Sequence, residues 1–182
     1  IHGQSVLNAV GPPIFTTFIT ANTEAFLAGQ PIPYITALGF IPWFVSLGGA
    51  GATLALVIIM CRSKEKSLRT LGRLSLPAGI FEINEPVTFG LPIVMNPVMM
   101  IPFVLVMSLN GVITYFAMSS GLVAKTFAYA SWNMFSPIAA LIDTMDIKAL
   151  LLVIVLIIID ILVYLPFFKV FEKQKIAEES ED

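Results

Sequence analysis

The chain has 182 residues, 57% of them apolar and 12% charged, and carries a net charge of −2. Soluble domains hold about 25% charged residues, so this chain lacks the side chains to cover a water-facing surface, and its near-neutral balance argues against nucleic-acid binding. One cysteine (Cys61) and one histidine (His2) leave no disulfide framework and no metal cluster to build, and neither metal nor cofactor is expected.

The apolar runs are long and do not alternate, which selects helices over a barrel. The expected class is an all-α polytopic membrane protein, with transmembrane helices plus re-entrant half-helix hairpins. The start Ile1-His2-Gly3 has neither an initiator Met nor a basic leader, so it reads as a portion of a longer protein.

Residues 1–36 are interrupted at Gly11-Pro12-Pro13 and again at Pro31-Ile32-Pro33. Proline lacks an N–H and disfavours helical geometry at the residue before it, so two short half-helices or a re-entrant hairpin are expected. Residues 37–61 carry no charge and form the first expected span, long enough for a hydrocarbon core of about 30 Å. Pro42-Trp43 suits an interfacial anchor, and Gly48-Gly49-Ala50-Gly51-Ala52 suits a flat strip for helix packing. Residues 62–73 then gather Arg62, Lys64, Lys66, Arg69 and Arg73, half of the ten basic residues. The positive-inside rule makes this a solvated cytoplasmic loop.

Residues 74–97 hold prolines at 77, 86, 92 and 97 and glycines at 79 and 90. The expectation is a half-helix, a turn at Asn84-Glu85-Pro86 and a returning half-helix, with Pro86 in the first turn and Asn84 or Glu85 as its cap. Residues 98–118 form a second span. Residues 119–148 are mixed, part of them an external loop, with 130–133 folding back into the protein. Residues 149–168 form a third span around Asp160, and Lys169, Lys173 and Lys175 place the chain beyond it in the cytoplasm. The acidic tail 178–182 is expected to be disordered. The division is thus a transport domain over 1–168 and a cytoplasmic tail over 169–182. The three spans run in, out and back in, which leaves 74–97 re-entrant from the cytoplasmic side.

Ionisable groups at membrane depth are functional candidates by default. Asn84 offers donors and an acceptor and Glu85 offers acceptors, a pair suited to the hydroxyls of a polyol such as a sugar; the plain alternative is a helix cap. Glu82 shares a face with Glu85 only if the turn between them is helical. His2 is a candidate general base or hydroxyl ligand, against a chain end without a role. Trp132 is a candidate stacking platform for a sugar, against an interfacial tryptophan. Asp160 is either a proton relay or the partner of a donor outside this chain.

Ser75 through Pro97, with its Phe81-Glu82-Ile83-Asn84-Glu85-Pro86-Val87 centre, resembles the signature of the membrane-spanning IIC component of bacterial sugar phosphotransferase systems. It looks most like the lactose/cellobiose/diacetylchitobiose branch. Gly48-Gly49-Ala50-Gly51-Ala52-Thr53-Leu54 and Tyr164-Leu165-Pro166-Phe167-Phe168-Lys169 are similar to that branch too. The resemblance covers essentially the whole chain, as the C-terminal half of such a permease.

The resemblance implies a multi-pass homodimer in the bacterial inner membrane whose C-terminal half binds a disaccharide: diacetylchitobiose, cellobiose or lactose. The sugar 6-hydroxyl is phosphorylated by a phosphocysteine on the separate IIB protein, which is charged through IIA. The chain is then a transporter component, with the phosphoryl donor on its partner. On the same resemblance, Glu85 contacts and activates the 6-hydroxyl with Asn84 beside it. His2 lies near that hydroxyl and Trp132 stacks on the sugar. Two departures stand out. The region around Trp132 lacks the Trp-Thr-Thr-Pro pattern of cellobiose-type members, and Glu82 stands where an Asn is expected. The basic stretch 62–73 is the expected IIB docking surface. The alternative function is a proton-coupled secondary sugar transporter with Asp160 or Glu85 as the relay.

Overall fold

The computed structural model describes residues 3–91, 93, 95–131 and 133–181. The described residues form seven α-helices and one π-helical turn: α1 Gly3–Leu27, the turn Ile41–Val45, α2 Thr53–Met60, α3 Lys66–Ile80, α4 Glu85–Gly90, α5 Pro97–Ser119, α6 Ser136–Thr144 and α7 Ile147–Glu181.

The first correction concerns residues 1–36. Pro12 and Pro13 lie inside a continuous α1 and do not divide it. Each proline removes one ladder donor, but the helix resumes on both sides. The hydroxyls of Thr16 and Thr17 bond back to the carbonyls of Pro12 and Pro13 at 2.8 and 3.1 Å. These are ordinary side-chain bonds to the carbonyl four residues back and do not replace the donors the prolines remove, which would have served carbonyls one turn earlier. The far end of α1 is tied down by the buried Asn22. Its amide donates to the carbonyls of Tyr34 and Thr126 at 2.8 and 2.7 Å and accepts from the Tyr34 N–H at 3.0 Å. Phe26 stacks on Phe127 with ring centroids 3.7 Å apart.

The second correction concerns residues 37–61, which do not form one clean span. The π-helical turn ends at Val45, and α2 starts only at Thr53. Between them Gly48, Gly49, Gly51 and Ala52 take positive φ angles of 77°, 95°, 84° and 49°. A hydropathy window counts this stretch as apolar because glycine and alanine carry no charge. The backbone turns because it finds hydrogen-bond partners inside the protein, the condition under which irregular backbone survives at membrane depth. The Thr53 hydroxyl donates to the Gly48 carbonyl at 2.7 Å, and the Tyr164 hydroxyl to the Gly51 carbonyl at 2.6 Å. Trp43 is no interfacial anchor either: it is wholly buried, and its indole N–H donates to the Asp143 carboxylate at 2.7 Å.

Among the described residues, two helices are long and apolar enough to cross a membrane, α5 and α7. Asn96 caps α5, accepting from the Val98 and Met99 N–H groups at 2.9 and 3.3 Å. Asp146 opens α7 by accepting from the Lys148 N–H at 2.9 Å, and its other oxygen accepts from the Ala124 N–H at 3.0 Å. The inner faces of the two helices close over Trp43 and Phe44 of the turn, Leu47 just beyond it, and Leu56 and Met60 of α2, through Val106 of α5 and Val153, Leu156 and Tyr164 of α7. Their outer faces stay exposed at Ile101, Val104, Phe116, Leu151, Ile158 and Leu162. Lipid tails are as apolar as these side chains, so such a face carries no penalty in a bilayer.

The basic stretch 62–73 is less a loop than a helix start. Glu65 caps α3 through the Ser67 and Leu68 N–H groups, both at 2.5 Å, so Lys66, Arg69 and Arg73 ride on the helix. The expected disorder of the acidic tail is a further correction up to residue 181: α7 runs on to Glu181, with a Lys175–Glu178 ion pair one turn apart.

Candidate functional site

The site is built where α3 stops. The helix ends at Ile80, Phe81 leaves it, and Glu82 takes a left-handed φ of 64°. Such a conformation is unusual for a residue with a Cβ and persists only when its surroundings hold it. Asn84 then opens α4 (Glu85–Gly90), with Pro86 in the first turn as proline's fixed φ favours. The half-helix, turn and half-helix expected over 74–97 are present, although α4 has only six residues. The two arms press together at Gly90, where a Cβ would lie 2.6 Å from a Leu71 methyl.

What holds the tip is the glycine turn from residue 48 onward. One Glu82 oxygen accepts from the N–H groups of Gly48 and Gly49 at 2.9 and 3.1 Å. The other accepts from the hydroxyl of Ser136, the buried first residue of α6. Glu82 therefore joins three segments far apart in sequence, and both its oxygens are occupied by protein donors. Since the turn is not helical, Glu82 and Glu85 share no face. Asn84 does not cap α4 with its side chain; its amide donates to the Ala50 carbonyl at 2.9 Å. Gly49 has to be glycine here, because a Cβ would come within 2.6 Å of the Asn84 Cγ.

Glu85 differs from both neighbours. It is exposed, it begins α4, and its carboxylate has no hydrogen-bond partner among the described residues. The tip thus fixes the backbone on either side of one open carboxylate. A positioned carboxylate of this kind can accept a proton from a hydroxyl or hydrogen-bond to a sugar.

The second returning segment lies on the other side of Ser136. Ala130 turns inward, and its N–H donates to Asp143 at 2.7 Å while Trp43 holds the other Asp143 oxygen. Asp143 is completely buried and anchors the stretch that leads to Trp132. Trp132 and His2 themselves lie outside the described residues.

Asp160 finds its donor within the chain, where a partner outside it was the alternative to a relay. Asn110 on α5 donates to it at 2.9 Å, and both residues are wholly buried. No hydrogen bond among the described residues joins Asp160 directly to the 82–85 tip; Tyr164, four residues further along α7, bonds the Gly51 carbonyl of the glycine turn.

Sequence reasoning missed Ser136, Asp143 and the direct role of Gly48 and Gly49. Ser136-Pro137 carries a helix-start signal. Asp143 comes after the apolar run Ile138-Ala139-Ala140-Leu141-Ile142, where a lone acid asks for a partner. Neither signal names that partner.

Comparison with known proteins bears on what the site serves. The family described as Phosphotransferase system, EIIC matches residues 1–106. The chain is 38% identical over 184 residues to the lichenan permease IIC component of Bacillus subtilis (strain 168), covering 100% of this chain and 41% of that protein. It is 40% identical over 187 residues to the cellobiose-specific EIIC component of Geobacillus stearothermophilus, covering 100% and 42%. Its fold matches the crystal structure of ChbC, the IIC component of the N,N'-diacetylchitobiose-specific phosphotransferase system. The TM-score is 0.95 at 41% identity, over 99% of this chain and 42% of ChbC. The chain therefore spans well under half the length of these relatives. It belongs to the phosphotransferase-system EIIC family, in the lactose/cellobiose/chitobiose branch of these multi-pass cytoplasmic-membrane proteins.

Proposed function

We propose that this chain is the sugar-binding portion of a phosphotransferase permease, which binds and translocates a disaccharide and presents its 6-hydroxyl to IIB. The substrate class is diacetylchitobiose, cellobiose or lactose, in line with what its relatives are named for. IIA and IIB are the protein partners, and a homodimer in the bilayer is the working assembly.

One observation carries the reading. Of the polar groups at the α3–α4 tip, Glu82 and Asn84 are bound to protein and Glu85 is open. In this reading Glu85 accepts the 6-hydroxyl proton as the oxygen attacks the phosphorus of the IIB phosphocysteine, the P–S bond breaks and the cysteine leaves as its thiolate, and Asn84 fixes the backbone beside Glu85. Phosphoryl transfer rests largely on positioning, so a rigid tip with one free carboxylate suits it. Glu82 serves as the positioning residue, while His2 and Trp132 complete the sugar contacts. Asp143 sets the course of the chain toward Trp132.

Equilibrium dialysis of a full-length protein containing this chain, with labelled cellobiose, lactose and diacetylchitobiose, tests the reading. Saturable binding of one of the three is expected, and binding of none would overturn it.

A further inference from the structure

We propose that the crevice between the end of α2 and α7 binds an anionic glycerophospholipid, with its phosphate among Arg62, Lys64 and Lys169. Positive-inside counting assigns residues 62–73 and 169–175 to the cytoplasmic side separately. The structure brings the two segments into contact. Ser63 Oγ and the Lys64 N–H both donate to one Glu172 oxygen, at 2.5 and 2.7 Å.

Beside this clasp lies a groove of about 270 Å³. Ile58 and Ile59 wall it from α2, and Ile161, Leu165 and Phe168 from α7. Arg62, Lys64 and Lys169 stand at its rim, all exposed, and none forms an ion pair within the described residues. Glu172 is the single acid in the lining, and it is turned onto Ser63 and the Lys64 backbone.

Charge and continuity together name the occupant. Three cations where the apolar end of α2 meets the membrane helix α7 form the pattern that takes an acidic headgroup. On α7, Ile158 and Leu162 lie three residues before the lining residues Ile161 and Leu165 and are 52% and 64% exposed, so the apolar surface continues from the groove along the helix. An acyl chain can run along that face while the phosphate stays at the rim. A folded protein domain would meet the cations but has no use for the apolar wall beneath them.

The test uses a full-length protein containing this chain, with phosphatidylglycerol and phosphatidylcholine as probes and retained lipid read by native mass spectrometry. The wild type should retain phosphatidylglycerol in preference to phosphatidylcholine. In R62Q/K64Q/K169Q, that retention should fall about a hundredfold, with sugar binding intact. Equal retention of the two lipids by wild type would overturn the proposal without any variant. So would a triple variant that keeps its phosphatidylglycerol but loses IIB-dependent phosphorylation, an outcome that assigns the surface to IIB. Sugar binding, read in parallel, separates a failure here from a failure of the permease reading.

Discussion

Two regions of this molecule place a carboxylate where water is scarce, and they treat it in opposite ways. At the α3–α4 tip, Glu82 and Asn84 are consumed by protein contacts while Glu85 is left exposed. In the seam between α5 and α7, Asp160 is wholly buried and bonded to Asn110, and no hydrogen bond among the described residues joins it directly to the tip. The contrast teaches that an acid at membrane depth is not a site by virtue of its charge. A site needs fixed surroundings and one group left unspent.

The contrast breaks most visibly at Glu85. Glu85→Gln keeps the shape and removes the base, so IIB-dependent phosphorylation should fall by about 10²–10⁴-fold, the usual worth of general-base catalysis. Dialysis should still find sugar binding. A phosphorylation rate equal to wild type would remove Glu85 from the chemistry.

Glu82 probes the other half of the tip. Glu82→Ala strands the Gly48 N–H group and the Ser136 hydroxyl, while the Gly49 N–H keeps the Ser46 carbonyl at 2.8 Å, and each buried unsatisfied group costs about 1–3 kcal/mol. Thermal unfolding in detergent should start several degrees lower, and sugar affinity should drop with it. Lost phosphorylation at unchanged stability and affinity would instead make Glu82 a direct participant.

A smaller effect is expected from the glycine turn. Gly49→Ala forces a Cβ toward Asn84 at a φ of 95°, and residues in such sparsely populated conformations cost about 1–3 kcal/mol. Gly79→Ala is the matched control. It sits inside α3, its nearest contact would be 3.7 Å away, and alanine there should stabilise the helix by about 0.5–1 kcal/mol. Melting temperatures of the two variants should move in opposite directions.

These cases mark how far the sequence could be read. The helices α5 and α7 are legible from uncharged length, and the position of the tip from Asn84-Glu85-Pro86 between prolines and glycines. The different fates of Glu82 and Glu85 are not. They depend on Gly48 and Gly49 upstream and Ser136 downstream, contacts set by tertiary approach and invisible to local spacing. Hydropathy misjudges the glycine turn for a related reason: it records that a residue is uncharged, not which φ it adopts. The prolines of α1 show the converse error, a strong local breaker overruled by the helix on either side of it.

The smallest expected effect falls on Asp160, and it decides between a permease and its rival. A proton relay needs a carboxyl group that takes up and loses its proton, so Asp160→Asn would abolish proton-driven uptake. In the sealed seam the substitution should be nearly silent. Asparagine has almost the same shape and keeps a carbonyl oxygen for the Asn110 amide that now lies 2.9 Å from Asp160. It also adds an N–H donor to a seam in which the Asn110 Oδ1 and the Thr114 hydroxyl have no partner among the described residues. A swap that retains shape and bonding in a close-packed interior should cost less than about 1.5 kcal/mol. Phosphorylation-coupled uptake by vesicles containing full-length Asp160→Asn with IIB should therefore match wild type closely. Vesicles without IIB should accumulate no sugar under a pH gradient. If uptake collapses in the variant, or runs without IIB, Asp160 belongs to the transport path and the two regions are no longer opposites.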